Sequence, residues 1–193
     1  LGAKYLTYGL EQQHHKAAAF NYSTGATPVF PINVLAKRAL NIEFEKVASI
    51  SNTTGFMNAS IPAGNIYGTA DEVSRFYQMM LDGGNFNGEQ LFEEETIKLA
   101  TKPAGPLTID QTLMIPIRFS TGFMLGENVF SLFGVKARKA YGHLGLINIV
   151  TWADPARDIS VAFLNTGKSL DPRSLPALGK VLVSVSSNCS VLK

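Results

Sequence analysis

The feature that most limits the fold is a change of hydrophobic period in the last third of the chain. "RFSTGFML" (118–125), "INIVTW" (147–152) and "ISVAFL" (159–164) are short apolar runs rich in β-branched and aromatic residues, and they read as strands. The last two are joined by "ADPARD", where Pro155 pre-sets a turn, so an antiparallel hairpin is expected there. A final helix is expected to begin near Asp171-Pro172 or Ser174. In it Leu175, Leu178, Leu182 and Val185 recur at three- and four-residue steps, so one of its faces needs an apolar partner, and the sheet supplies it.

Upstream the period is helical. Thr69 and Glu72 have the spacing of a capping box, which satisfies the first free N–H groups of a helix. Val73, Phe76, Tyr77, Met80 and Leu81 then fall on one face, and Gly83-Gly84 stops the helix. "NFNGEQ" reads as a loop, followed by a shorter helix near 93–100 whose "EEE" suits the positive end of a helix dipole. Residues 1–60 carry weaker signals: loop chemistry in "STGATPVFP" (23–31), and a helix around 33–40 with Asn33 as its cap. The order is helices, then strands, then one helix. This is an α+β layout, an antiparallel sheet flanked by helices beside a helical region. The 193 residues are expected to form a single unit, mainly helix and loop over 1–117, strands and the terminal helix over 118–193.

Several function classes find no support. A net charge of +2 with scattered Lys and Arg makes no electrostatic case for nucleic acid, and "KARK" (136–139) reads as a solvated turn or strand edge. No apolar run approaches the roughly 18–20 residues of a membrane span. Cys189 is the only cysteine, so neither an internal disulfide nor a thiolate cluster is available. His14, His15 and His143 lack metal-ligand spacing, and the first two, within "EQQHHK", are expected to face solvent. No metal and no cofactor is implied. Four sequons, at Asn21, Asn52, Asn58 and Asn188, do not assign a compartment. "AFLNTGKS" (162–169) has nearly the spacing of a phosphate-binding loop, yet it leaves an antiparallel hairpin, and the prolines of "LDPRSLP" prevent a helix from starting at Gly167. Nucleotide binding is not expected.

Three blocks, in order, carry a resemblance: "PAGNIYGTADEVSRFYQMMLDGG", "NGEQLFEEETIKLATKP" and "GHLGLINIVTWADPARDISVAFLNTG". Together with the opening "LGAKYLTYG" they resemble the serine β-lactamase and penicillin-binding-protein-like superfamily, in its branch of class C β-lactamases, family VIII carboxylesterases and D-aminopeptidases. The resemblance implies that His143-Leu144-Gly145 is the family's His-x-Gly variant of Lys-Thr-Gly, lining the site from a strand. His143 would orient substrate, Gly145 would let it approach the backbone, and the N–H of Leu146 would be one donor to the developing oxyanion. The bland alternative is a strand-end histidine bonded to a neighbour.

The family's nucleophile is the serine of Ser-x-x-Lys, activated by the lysine and a tyrosine, because a serine hydroxyl needs a base to take its proton. The only Ser-x-x-Lys here is Ser190-Val-Leu-Lys193, out of the family's order and expected in a frayed tail; no Tyr-x-Asn and no Gly-x-Ser-x-Gly occurs. The chain therefore resembles the C-terminal half of a serine hydrolase acting on an ester, amide or β-lactam, with its nucleophile outside residues 1–193. A piece of this kind is expected to need a complementary N-terminal segment or a second copy of itself along an open sheet edge. The alternative is a non-catalytic binding module that retains the fold.

Overall fold

The structure, a computed structural model, describes residues 1–193 except Ala63, Thr112, Phe130, Leu146, Ile147, Pro172 and Lys193, and except the side chains of Ala39, Leu40 and Leu175. The first part of the chain runs β1 (Thr7–Tyr8), a 3-10 turn (Gln12–Ala17), β2 (Tyr22–Ser23), α1 (Ile32–Leu40), α2 (Phe44–Ser51), α3 (Thr54–Asn58) and β3 (Ile66–Tyr67). Then come α4 (Ala70–Leu81), β4 (Asn85–Phe86), β5 (Glu89–Gln90) and α5 (Glu94–Thr101). The rest holds β6 (Thr108–Ile109), β7 (Pro116–Phe119), β8 (Met124–Leu125), β9 (Tyr141–Leu144), β10 (Val150–Asp154), β11 (Ile159–Phe163), β12 (Gly167–Lys168) and α6 (Leu175–Asn188).

Six strands form one antiparallel sheet in the order β11-β10-β9-β8-β7-β6. The expected hairpin is its β10–β11 pair, with Trp152 opposite Val161. The pleat sorts side chains between two helices. Val150 and Trp152 join Phe133, Ala137, Ala140 and Leu182 of α6 in one buried cluster, with Leu178 and Val185 packed against it. On the other face Ala153 and Tyr141 meet Tyr77, Met79 and Met80 of α4. Gly142 is paired with Trp152, and a Cβ there would lie 2.1 Å from the Thr151 carbonyl, so only glycine lets the two strands close.

Both ends of α4 follow their sequence signals. The Thr69 N–H donates to Glu72 Oε2 at 2.9 Å, and the Glu72 N–H donates back to Thr69 Oγ1 at 3.1 Å. Gly83 and Gly84 leave the helix with φ of 65° and 91°. Met79, off the expected stripe, is nonetheless wholly buried, because Phe86, Ile97 and Leu1 widen the cover over α4.

Other expectations are corrected. "RFSTGFML" is two strands, since Ser120 Oγ accepts the N–H groups of Gly122 (3.3 Å) and Phe123 (2.9 Å) and turns the chain between β7 and β8. The sheet begins at Thr108, earlier than the boundary at 118 that periodicity marks. "NFNGEQ" is the hairpin β4–β5, with Asn87 (φ 53°) and Gly88 (φ 87°) making its two-residue turn. In α1 the cap is Pro31 rather than Asn33, whose Oδ1 instead accepts the Val34 N–H at 2.8 Å. His14 and His15 are half-buried: His14 packs edge-on against Tyr5, and His15 Nε2 meets the Leu10 carbonyl at 3.0 Å. The tail is anchored, not frayed, for the Leu192 N–H donates to the Ala156 carbonyl at 2.8 Å.

Two buried charges hold these layers. Arg157, in the β10–β11 turn, donates to Asp154 Oδ2 at 2.5 Å and to the carbonyls of Val135, Lys136, Ser186 and Cys189 at 2.9–3.2 Å. Removing one partner of such a buried pair costs about 3–5 kcal/mol. Arg157→Ala is therefore expected to lower the urea midpoint by that stability, and the double variant Asp154→Leu/Arg157→Met to recover only part of it, because four carbonyls remain unpaired.

Glu72 also accepts the N–H groups of Lys4 (2.5 Å) and Tyr5 (2.8 Å) through Oε1, fastening the start of the chain to α4. Burial pushes its carboxyl up, but the backbone N–H groups of Thr69, Tyr5 and Lys4 outweigh this and hold it below its ordinary value of 4.5. The stabilisation is complete above that ordinary value and is lost as pH falls through the lower folded one. Glu72→Gln is expected to cost about 1–3 kcal/mol at pH 7, with the gap to wild type closing in acid when both are unfolded in urea across pH.

Candidate active site

β9 is the third strand in from one edge of the sheet, flanked by β8 and β10. It places His143 opposite Thr151 of β10, on the face that carries Tyr141. Tyr141 is buried against α4, whereas His143, two residues on, is exposed. Thr151 is itself tied to that helix through Tyr77, whose hydroxyl lies 3.1 Å from its Oγ1. Nδ1 of His143 lies 2.6 Å from the Leu144 carbonyl. A carbonyl only accepts, so Nδ1 carries the hydrogen in this contact, and Nε2 is the nitrogen left for a ligand.

Beyond β9 the chain turns back within a few residues. The Gly145 N–H donates to the Ile149 carbonyl at 2.9 Å, and Asn148 takes a left-handed φ of 65°. A Cβ at Gly145 would sit 2.9 Å from Ile149 Cγ2, so the glycine serves the turn as well as any approach of substrate. His143 and Gly145 thus stand at the same end of one strand. Leu146, expected to provide an oxyanion donor, lies outside the described residues.

Sequence reasoning passed over the polar groups beside this turn. Asn165 Nδ2 donates to the Asn148 carbonyl, and Lys168 Nζ donates to the Asn165 carbonyl at 2.8 Å. Lys168 is only 2% exposed, and burial pushes its ammonium below the ordinary lysine value. The lysine of "AFLNTGKS" therefore faces main chain rather than a phosphate site. β12, which carries it, pairs in parallel with β2, and among the described residues after it the next helix is α6, from Leu175. The sequence signal for these residues is the "NTGK" turn itself.

Two cavities are formed among the described residues, and neither is lined by His143. One of about 410 Å³ lies near the start of the chain between Lys4, Tyr8, Glu11, His14 and Asn58. The other, about 380 Å³ and mostly apolar, lies between the end of β11 and α6, lined by Asn148, Phe163, Asn165, Ala177, Leu178 and Val181. Ser190 lies in the tail that joins the β10–β11 turn, at the opposite end of β10 from Thr151 and His143, and Lys193 is outside the described residues. Among the described residues no cluster of His, Cys, Asp and Glu has the makings of a metal site, and no helix is long and apolar enough to cross a membrane. What the arrangement supplies is one wall: a ring donor or acceptor at His143 beside a tight glycine turn.

The frame that holds this wall recurs in solved structures. A penicillin-binding protein homolog from Caulobacter crescentus superposes with a TM-score of 0.74 and 26% identity, over 96% of this chain and 48% of that one. EstA from Arthrobacter nitroguajacolicus gives a TM-score of 0.71 at 20% identity, over 98% of this chain and 51% of EstA, a likeness of fold. In sequence, the esterase/beta-lactamase LipL of Mycobacterium tuberculosis is 26% identical over 121 residues, 62% of this chain and 26% of LipL. The chain thus spans about half the length of these solved proteins, and its match about a quarter of LipL. The Beta-lactamase family model matches residues 4–182, nearly the whole chain, and with the shared fold this establishes that the chain belongs to the β-lactamase and penicillin-binding-protein-like family of serine hydrolases.

Proposed function

We propose that residues 1–193 are the C-terminal part of a serine hydrolase that cleaves an ester, amide or β-lactam through an acyl-enzyme, with the Ser-x-x-Lys nucleophile supplied from outside these residues. The observation that carries this reading is His143-Leu144-Gly145 at the open end of β9, in a chain whose family match runs almost end to end. In the reaction the external serine Oγ bonds to the substrate carbonyl carbon, and its proton passes through the neighbouring base to the departing alcohol or amine. Water then attacks the acyl-serine and releases the acid. His143 Nε2 orients the substrate, and the Leu146 N–H is one donor to the oxyanion. The relatives' names point to esters and β-lactams; choosing between them depends on the part of the site that the nucleophile's segment completes.

The same reading assigns a place to that segment. β11 ends the sheet order, its outer edge has no strand partner among the described residues, and all five of its residues are half-buried. An apolar cavity lies between Phe163, the last residue of β11, and Leu178 and Val181 of α6. An added N-terminal strand would satisfy the edge and fill the hollow.

The direct test is a fluorophosphonate probe on the protein as isolated from its source, read by intact mass. Label is expected on a species heavier than 20.9 kDa or on a co-purifying chain. Label on a 20.9 kDa species would instead place the nucleophile within residues 1–193. No label on any species would favour the non-catalytic binding module. In the labelled species, His143→Ala is expected to lower kcat/KM for a p-nitrophenyl ester roughly 100-fold, the scale of losing one group aimed at the transition state. An unchanged rate would return His143 to a structural role.

A further inference from the structure

Three hydrogen bonds close a ring behind the His143 strand. Asn165 Nδ2 donates to the Asn148 carbonyl, Asn148 Nδ2 donates to the Gly167 carbonyl at 3.4 Å, and Lys168 Nζ donates to the Asn165 carbonyl at 2.8 Å. Asn148 belongs to the turn that carries the chain from the end of β9 to Val150, closed by the Gly145–Ile149 bond. Among the described residues, Asn165 is the one side chain from outside this turn that donates to its main chain. Asn165 is itself held fast, because its carbonyl is gripped by the buried Lys168, and the Lys168 carbonyl accepts the Thr24 N–H at 2.8 Å.

Packing alone does not account for an asparagine here. Its Oδ1 is buried and accepts no hydrogen bond among the described residues, a placement that works against stability. The amide cannot relieve this by reversing, because Oδ1 would then face the Asn148 carbonyl, two acceptors together. What the side chain contributes is its NH₂ donor, aimed at the one turn that leads out of His143-Leu144-Gly145.

We infer that Asn165 is a positioning residue of the proposed site: its amide fixes Asn148 and, with the Gly145–Ile149 bond, the angle at which His143 and Gly145 meet the substrate. This rests on the hydrolase reading above. The residue touches no reacting atom; it acts through the turn, where a displacement of about 1 Å can cost on the order of 100-fold in rate.

The test uses Asn165→Ala and Asn165→Asp in the protein expressed together with whatever chain co-purifies with it. N165D keeps the side chain's volume and removes the donor, so it serves if N165A does not fold. Two quantities are read: hydrogen exchange at the Gly145 amide, and kcat and KM separately for p-nitrophenyl ester hydrolysis. Exchange at Gly145 is expected to quicken at least 10-fold, and kcat to fall roughly 10- to 100-fold with KM within about 3-fold of wild type. Wild-type exchange and wild-type kcat in N165D would overturn the inference, as would failure of both variants to fold, which makes Asn165 purely structural. If the wild-type protein neither takes up fluorophosphonate nor turns over the ester, the hydrolase reading falls. The Gly145 exchange then decides by itself whether Asn165 sets the turn.

Discussion

A single guanidinium holds the layers in register. Arg157 is 6% exposed and Asp154 1%, so both charges have left water, a transfer that costs several kcal/mol per ion unless every polar atom finds a partner. Here they do. One Nη meets the carboxylate and the Lys136 carbonyl, the other meets the Val135 carbonyl, and Nε is shared between the Ser186 and Cys189 carbonyls. Those last two belong to the end of α6, where helix carbonyls are free and the dipole is negative, so a cation is doubly suited to the place. The turn of a hairpin, a loop ahead of β9 and the end of the terminal helix are thereby joined at one point, and Ser186 Oγ adds a bond from the Val135 N–H at 2.9 Å.

From this point the sheet extends toward the candidate site as a braced beam. Arg157 secures one end of the β10–β11 hairpin, and the ring of Asn148, Asn165 and Lys168 secures the other. Trp152 and Val150 lie between, stacked over Phe133 and α6. On the opposite face Tyr77 of α4 reaches Thr151, the residue paired with His143. His143 is thus an exposed residue on a strand braced from both faces. Neither cavity described above is lined by His143.

The parts legible from sequence were those with local causes. The capping box of Thr69 and Glu72, the glycine stop of α4, the β10–β11 hairpin and the apolar stripe of α6 depend on residues within a few positions of one another, and each stands where its signal lay. Where a local signal was overlooked, the cause is equally plain. Asn87-Gly88 is a two-residue hairpin turn, and Ser120 a serine that turns the chain, but both lay within runs short enough to pass for one loop or one strand. The first sixty residues resisted assignment because their order comes from partners far away: β2 is paired with β12, and Asn21 with Asn52. No periodicity records such pairings.

The sequence by itself determined an α+β chain with a terminal antiparallel hairpin, and through its ordered motifs it determined the family and the candidate His143-Leu144-Gly145. It could do so because capping, turns and alternation are written in neighbouring residues. Only the tertiary structure decided that Arg157 is a buried clamp and that Lys168 is a buried brace on the Asn165 carbonyl. It also decided that Asn165 donates to the Asn148 carbonyl, between β9 and β10. A charged or polar side chain acquires such a role from the carbonyls that surround it, and those carbonyls come from segments that only folding brings together.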